Sequence, residues 1–399
     1  MKPRFSPPVR RPINGQQSHP EDERMAANPE CASNASFRLK HIRKQHHFFG
    51  QSKTAGTSMK TCYIHVGFHK TASTSFQQFC GIHRDLLAES GLYYPKFVYP
   101  PQKGNLWNHT GPISMIYKRG RVKRSGHPSN SDDRKNLRAT NQKRHLQALE
   151  QNKDLLISGE GLSCLTHECY RRLMEDLTDY GYDTKVFALV RPPYSFACSA
   201  LQEWIKGGRY SRLVGLKRSP KNNRSKINDL PHRSEAIKTL QQSFGAKIQF
   251  YPFSKALAHP KGPVGFCLDQ LERPLPWASE QTDSAVHNPS LNNLQARTIN
   301  HIIKELRGQK NQSRCSKSEL KIIRESMDKL ESERFLLTEQ EFSLIEHHYK
   351  QIKQDIEQLL GPSFTDERLL FSSPITESDA IIDALARCSS LLIQQSRTA

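Results

Sequence analysis

The chain has 399 residues, with 59 Lys and Arg against 39 Asp and Glu, which gives a formal net charge of +20. Hydrophobic residues make up 36 % of it, below the ~45–50 % usual for globular proteins, so part of the chain is expected to lie outside any core. No apolar run approaches the ~18–20 residues that cross a bilayer, and no apolar stretch follows the first basic residues, which argues against a transmembrane segment and a signal peptide. The nine cysteines include no C-x-x-C pair, which argues against a disulfide framework or a zinc site and favours a cytoplasmic location.

The positive charge is concentrated in three segments, and the rest of the chain is close to neutral. Residues 1–58 are rich in proline and have no hydrophobic period, which predicts a disordered basic N-terminal extension ahead of Met59, a candidate native start. The stretches 118–144 and 208–230 are basic insertions in an otherwise regular pattern, of the kind expected for lids or irregular loops. We therefore predict one α/β domain over 59–375, followed by a C-terminal amphipathic helix or tail over 376–399.

From residue 62 onward, short β-prone segments alternate with segments of helical period. The predicted strands are 62–67, 154–158, 185–190 and 247–251. The predicted helices are 75–89, 166–180, 193–206 and 234–244, and the last third is helical by period over 289–306, 316–330 and 341–360. This alternation indicates βαβ units and a central parallel sheet flanked by helices on both faces, with ligands beyond the C-terminal ends of the strands.

The first strand is followed by Gly67-Phe68-His69-Lys70-Thr71-Ala72-Ser73-Thr74-Ser75, which leads directly into a helix. Backbone N–H groups at a helix start, a lysine and several hydroxyl groups together suit a phosphate or a sulfate. The alternative is an ordinary helix cap with a solvated lysine. The segment lacks the glycine spacing of a Walker A loop, which argues against an ordinary ATPase or kinase.

A second motif follows the predicted strand 185–190, where Arg191 stands at the strand end and Ser199 lies eight residues later. An arginine at the sheet edge and a serine about two turns into the next helix are able to converge on one anion. Taken alone, an arginine before prolines is most often a loop residue.

Together the two motifs resemble the sulfotransferase family, whose first loop commonly reads K-[ST]-G-[ST]-[ST]. The resemblance implies a P-loop-like three-layer fold and the sulfuryl donor 3′-phosphoadenosine 5′-phosphosulfate (PAPS). It implies that Lys70, Thr71, Ala72, Ser73, Thr74 and Ser75 hold the 5′-phosphosulfate and that Arg191 and Ser199 hold the 3′-phosphate. Ala72 departs from the usual glycine, at a cost of roughly 1–2 kcal/mol if the loop needs a positive φ there. An R-K-G motif near the C-terminus is not evident, which points to the carbohydrate-directed and bacterial branches.

Sulfuryl transfer needs charge stabilisation on the leaving phosphate, which we assign to Lys70, and a general base for the acceptor hydroxyl. Glu160, just past the second of the predicted strands, resembles the catalytic glutamate of the carbohydrate-directed branch. His109 is the rival, because histidine titrates near neutral pH and an Asn-His pair recurs at this place in bacterial members. Each has a structural alternative, as a capping carboxylate or a buried histidine. No metal is expected.

The sequence thus predicts transfer of a sulfuryl group from PAPS to a hydroxyl or amine, with a carbohydrate as the expected acceptor and no specific nucleic-acid partner. The basic loops then form walls of the acceptor cleft. One alternative is a basic nucleic-acid-binding protein, which the net charge favours but the lack of a recognised motif does not. A second is a P-loop kinase-like enzyme, against which the missing magnesium carboxylate argues. The oligomeric state stays open.

Overall fold

Five parallel strands form the central sheet. The computed structural model describes residues 59–100, 107–118, 131–215, 232–278, 290–310, 315–327, 333–373 and single positions between 382 and 394, all within the unit Met59–Ala399. The strands are β1 (Lys60–Val66), β2 (Leu92–Tyr93), β3 (Asp154–Gly159), β4 (Tyr182–Val190) and β5 (Ile248–Pro252). They pair in the order β2-β3-β1-β4-β5, every pair parallel.

Helices connect and cover the strands. The first half of the described chain contains α1 (Ser73–Ile82), α2 (Arg84–Glu89), α3 (Thr110–Tyr117), α4 (Ser131–Leu149), α5 (His167–Asp179) and α6 (Pro193–Lys206). The second half contains α7 (Ser234–Phe244), α8 (Phe253–Ala258), α9 (Gly262–Asp269), α10 (Asn293–Lys310), α11 (Lys317–Met327), α12 (Glu339–Ser343) and α13 (Glu346–Leu360). Short 3₁₀ turns follow β3 at Glu160–Cys164 and precede β5 at Gly245–Lys247.

Side chains alternate along the strands, so each face of the sheet has its own hydrophobic core. In β1, Cys62, Ile64 and Val66 pack into the larger core, which α5, α6, α7, α10 and α13 complete. Tyr63 faces the opposite core, together with Phe187 of β4 and residues of α1, α8 and α9. Helices therefore lie on both faces, and the predicted three-layer α/β fold is confirmed.

The strand order decides where a ligand is able to bind. β1 pairs with β3 on one side and with β4 on the other, so the chain leaves β1 between two strands that it reaches later. Open parallel sheets bind ligands beyond the carboxyl ends of their strands, where the direction of chain winding reverses. The segments after β1, β3 and β4 meet at this place.

The stretch 118–144 differs from the expected irregular insertion, because α4 begins inside it at Ser131. Only the C-terminal end of this helix, at Ala148 and Leu149, packs into the larger core, and polar contacts fix the part before it. The Asn141 side chain both accepts from the Val98 amide (2.8 Å) and donates to the Val98 carbonyl (2.9 Å). His145 lies 2.6 Å from the Tyr117 hydroxyl. A hydrophobic period does not reveal a helix that is anchored in this way.

Two other predicted helices are split. The segment 75–89 is divided at His83 into α1 and α2, and the segment 341–360 is divided between α12 and α13. A capping box of Thr338 and Glu341 starts α12 just before the predicted segment, and the helix is interrupted at Leu344 and Ile345 before α13 begins. The predicted extension 1–58, residues 119–130 and 216–231 of the insertions and most of the tail 376–399 lie outside the described residues. No helix among the described ones is long and apolar enough to cross a bilayer.

Candidate active site

The loop between β1 and α1 is folded tightly against the end of β3. The Gly67 amide donates to the Gly159 carbonyl at 3.1 Å. A Cβ at Gly67 would lie 2.5 Å from the Ser73 Oγ and 2.9 Å from the Glu160 Cα, closer than real Cβ contacts. Glycine is therefore required where the loop and the β3 end approach each other.

Two of the hydroxyl side chains between positions 71 and 75 stabilise the conformation of this loop. The Thr71 hydroxyl donates to the Phe68 carbonyl at 2.7 Å, and the Ser73 hydroxyl lies 3.3 Å from the same oxygen. Both side chains are buried. Thr74 is exposed and Ser75 is half-buried, so these two residues at the start of α1 are accessible to a ligand, and the first-turn N–H groups of a helix favour an anion.

The loop backbone carries strain at two residues that are not glycine. Lys70 has φ 68° and Ala72 has φ 58°, both in the left-handed region. This conformation costs an L-residue roughly 1–2 kcal/mol. The positive φ that would penalise alanine at position 72 is therefore present.

Lys70 reaches from the loop to α6. Its Nζ donates to the Glu203 Oε2 at 2.7 Å, and the Lys70 side chain is 24 % exposed. The contact keeps the ammonium group at the open edge of the sheet beside the start of α1. An anion that binds there has to compete with Glu203 for the lysine.

Arg191 follows β4 and joins the same loop. Its Nη1 donates to the Lys70 carbonyl at 3.1 Å and its Nε to the Ser195 Oγ at 2.7 Å. Burial, and then the neighbouring charge of Arg334, lowers the pKa of Arg191 to about 10. A largely buried guanidinium with a second positive charge near it is typical of an anion site.

Glu160 and His69 form an ion pair between the end of β3 and the loop. The His69 Nδ1 lies 2.9 Å from the Glu160 Oε1. Hydrogen bonds to Cys164 and to Glu160 raise the pKa of His69 to about 9, so the imidazole is charged at neutral pH. Burial raises the pKa of Glu160, but the hydrogen bond and charge of His69 and the charge of Lys70 outweigh it and lower the pKa overall. The carboxylate is therefore ionised and able to accept a proton.

Cys164 and Arg233 complete this cluster. The hydrogen bond with His69 lowers the pKa of the Cys164 thiol. The Arg233 guanidinium lies over the Phe196 ring, 5.2 Å from its centroid, and its charge acts on both Glu160 and Cys164. The end of the sheet thus carries more positive than negative charge.

His109 lies in a different environment. It is 1 % exposed, its Nε2 lies 3.0 Å from the Pro95 carbonyl, and its Nδ1 accepts from the Ser158 amide at 3.3 Å. Burial, and then the charge of Arg84, lowers its pKa to about 3. Both ring nitrogens are used by the backbone, so this histidine holds the loop before α3 against β3.

The structure therefore brings Lys70, Arg191 and Glu160 together at the ends of β1, β4 and β3 and leaves His109 inside the fold. Ser199 lies half-buried in α6, and among the described contacts the partner of Arg191 on that helix is Ser195. Sequence reasoning missed Glu203, Arg233 and Arg334. The only signal for them was charge, since none belongs to a motif and each lies far from the loop in sequence.

These donors suit a ligand that has two separate anionic groups. Lys70, Thr74, Ser75 and the α1 amides offer one set, and the largely buried Arg191, with the charge of the exposed Arg334 near it, offers a second. The resemblance implies this pair of sites for the 5′-phosphosulfate and the 3′-phosphate of PAPS. Within the described residues, no three His, Cys, Asp or Glu side chains are grouped as a metal site.

Comparisons with known proteins add little to these observations. No family model and no curated protein matches the chain. One solved structure that matches is a sulfotransferase from Alicyclobacillus acidocaldarius, with 13 % identity and a TM-score of 0.32 over 55 % of this chain and 83 % of that one. A second is the sulfotransferase domain of the Synechococcus PCC 7002 olefin synthase, with 14 % identity and a TM-score of 0.29 over 70 % of this chain and 99 % of that one. At these TM-scores and identities, neither likeness supports a role for any residue of the site.

Proposed function

We propose that this protein is a sulfotransferase that moves a sulfuryl group from PAPS to a hydroxyl or amine of an acceptor. The observation that carries the proposal is the meeting of Lys70, Arg191 and Glu160 at the ends of three adjacent strands. The first two belong to the motifs that resemble the family, and the third is an ionised carboxylate beside them. A carbohydrate acceptor and a cytoplasmic location are part of the proposal.

PAPS, when bound, supplies the sulfuryl group and a phosphate as the leaving group. Lys70 binds and stabilises the negative charge that develops on that phosphate, aided by the amides at the start of α1. Arg191 holds the second anionic group and so fixes the orientation of the donor. Its hydrogen bond to the Lys70 carbonyl couples the two binding points.

Glu160 accepts the proton of the attacking hydroxyl. His69 orients the carboxylate through its 2.9 Å contact and keeps it ionised. The same pairing makes Glu160 a weaker base in the open site, and exclusion of water by an acceptor raises its pKa toward that of an effective base. His109 is buried and neutral, which favours Glu160 over His109 for this role.

The first experiment is calorimetric binding of adenosine 3′,5′-bisphosphate, the desulfated product, beside ATP. We expect the bisphosphate to bind at least about tenfold more tightly than ATP, and Lys70→Ala and Arg191→Ala each to weaken it by about tenfold or more, because each removes a charge-assisted contact. Lys255→Ala, at an exposed position of α8, is the matched control and should bind like the wild type.

The result decides between the alternatives. Equal binding of the bisphosphate and ATP, with magnesium dependence, would support a kinase-like enzyme instead. No binding of either nucleotide would remove the sulfotransferase proposal. Selective binding would justify a screen of labelled PAPS against saccharides and other hydroxyl compounds.

A further inference from the structure

The residue Glu160 has a glycine on either side of it. It opens the short 3₁₀ turn Glu160–Cys164, with Gly159 before it and Gly161 after it. A Cβ at Gly159 would lie 2.7 Å from the Thr110 Oγ1, and a Cβ at Gly161 would lie 2.7 Å from the Thr110 Cγ2, closer than real Cβ contacts. Both glycines are therefore required by the close approach of one side chain, that of Thr110.

Thr110 contacts this turn through a buried hydrogen bond. The Gly161 amide donates to the Thr110 Oγ1 at 2.8 Å, and Thr110 is 7 % exposed. A 3₁₀ turn leaves its first N–H groups without a partner inside the turn, so the hydroxyl supplies the acceptor that the Gly161 amide needs. On the other side of Glu160, the Gly159 carbonyl accepts from the Gly67 amide at 3.1 Å. The backbone is thus fixed both before and after Glu160.

The two residues before Thr110 hold it beside the end of β3. The Asn108 Oδ1 accepts from the Thr110 amide at 2.9 Å. The His109 amide donates to the Ser158 carbonyl at 2.9 Å, and the Ser158 amide donates to the His109 Nδ1 at 3.3 Å. The Asn-His pair of the sequence therefore connects the start of α3 to β3, next to the turn that carries Glu160.

We propose that Thr110 is a positioning residue, whose hydroxyl fixes the turn after β3 so that the Glu160 carboxylate stays beside His69. The carboxylate lies 2.9 Å from the His69 Nδ1, and the Glu160 side chain is 26 % exposed, which leaves it accessible to an acceptor hydroxyl. A misplacement of about 1 Å at a reacting group is able to cost about 10²-fold in rate. This inference rests on the proposed function and adds to it a residue that acts through Glu160.

Three variants separate positioning from stability. Thr110→Val keeps the branched side chain but removes the acceptor oxygen, whereas Thr110→Ser keeps the hydroxyl. Thr338→Val is the matched control, because Thr338 is 8 % exposed and its Oγ1 also accepts a backbone N–H, that of Glu341 at 3.2 Å. Each valine variant leaves one buried N–H without its acceptor, so both should lower the melting temperature. All variants are compared at equal folded fraction.

The first measurement is an NMR titration of His69, assigned with His69→Gln, and it needs no ligand. Hydrogen bonds to Cys164 and to Glu160, the two ends of the turn, raise the pKa of His69 to about 9. Thr110→Val should lower this pKa by about half a unit or more, because the turn moves away from the imidazole. Thr110→Ser and Thr338→Val should leave it unchanged. An unchanged pKa in Thr110→Val, or an equal fall in Thr338→Val, would overturn the proposal.

The second measurement is release of labelled sulfate from PAPS with water as the acceptor, beside binding of adenosine 3′,5′-bisphosphate. In this reaction the water oxygen takes the sulfuryl group and Glu160 takes the proton of the water. Thr110→Val should release sulfate about tenfold more slowly or less, with bisphosphate affinity within about threefold of the wild type, since the base moves and the contacts to the donor stay. Thr110→Ser should restore most of the rate.

The remaining outcomes distinguish this proposal from the one on which it rests. Equal sulfate release by the wild type and Thr110→Val overturns the role of Thr110 alone. A loss of bisphosphate affinity as large as the loss of sulfate release would assign Thr110 to the donor site and also overturn it. If the wild type neither binds the bisphosphate nor releases sulfate, the proposed function fails, and the role of Thr110 fails with it.

Discussion

Two polar regions lie close to the end of β3, and they shift the pKa of histidine in opposite directions. At the open rim, formed by His69, Lys70 and Glu160, the histidine is 43 % exposed on its side chain and its pKa is raised to about 9. In the buried layer, which includes His65 and His109, burial lowers the pKa of both histidines to about 3. The same residue type is a cation in one region and a neutral hydrogen-bonding group in the other.

This difference separates the side chains that a ligand is able to contact from those that stabilise the fold. Rim groups are accessible, carry charge and contact one another through side chains, so a ligand is able to rearrange them. In the layer, His109 bonds the backbone at Pro95 and Ser158 and His65 bonds the Ser158 hydroxyl, and both side chains are buried away from solvent. Substitutions in the rim should change binding and turnover, and substitutions in the layer should change folding.

The largest expected effect is on turnover. Glu160→Gln keeps the shape of the side chain but removes the proton acceptor, and it should lower sulfuryl transfer by about 10²–10⁴-fold. Bisphosphate affinity should stay within about threefold of the wild type. The measurement is transfer from labelled PAPS to the acceptor that the screen identifies, with His109→Gln as the comparison; a larger loss in His109→Gln at equal folded fraction would reverse the assignment.

The second effect is on stability. His109→Ala leaves a cavity and two unpaired backbone groups, so we expect the free energy of unfolding to fall by about 2–4 kcal/mol. His69→Ala, at the exposed rim, should lower it by less than about 1 kcal/mol. Urea unfolding of the two variants tests the division; similar losses would show that the two regions do not differ in this respect.

The third effect is the pH dependence of stability, which should have opposite signs in the two regions. His69, with its pKa raised from 6.5 to about 9, contributes stability that is complete below pH 6.5 and is lost as the pH rises through 9. His109, with its pKa lowered from 6.5 to about 3, makes the folded state lose stability as the pH falls from 6.5 toward 3. His65 acts in the same direction.

Unfolding free energies measured between about pH 4 and about pH 10 check both signs. His69→Gln should flatten the alkaline side of the curve and leave the acid side unchanged. A variant with an unchanged alkaline side would contradict the ion pair with Glu160.

The smallest effect concerns the lysine of the rim. Glu203→Gln removes the carboxylate that competes for Lys70, so the bisphosphate should bind roughly twofold to fivefold more tightly at low salt. Glu168→Gln, an exposed glutamate of α5, is the control. The gain should disappear in a Lys70→Ala background; a gain that persists there would show that Glu203 does not act through Lys70.

Much of the fold follows from the local pattern of apolar and polar residues in the sequence. The strands β1, β3, β4 and β5 and the helices α5, α6 and α7 were predicted within a few residues, because apolar runs and helical periods are local properties of the chain. Motif spacing likewise indicated the loop with Lys70 and the strand end with Arg191. The strand β2 was not predicted, because two residues are too few to show a hydrophobic period. The polar helix α4 was not predicted, because contacts with distant residues such as Val98 hold it in place.

The sequence by itself determined the α/β class, the order of the main elements and the loop and strand ends at which a ligand is expected, since each depends on neighbouring residues. Only the tertiary structure decided which polar groups share the rim. It buried His109 and paired His69 with Glu160, Lys70 with Glu203 and Arg191 with the loop, contacts between residues up to 133 positions apart. Burial and charge pairing set the protonation state of a side chain, and both depend on the packing of distant elements, which no local pattern encodes.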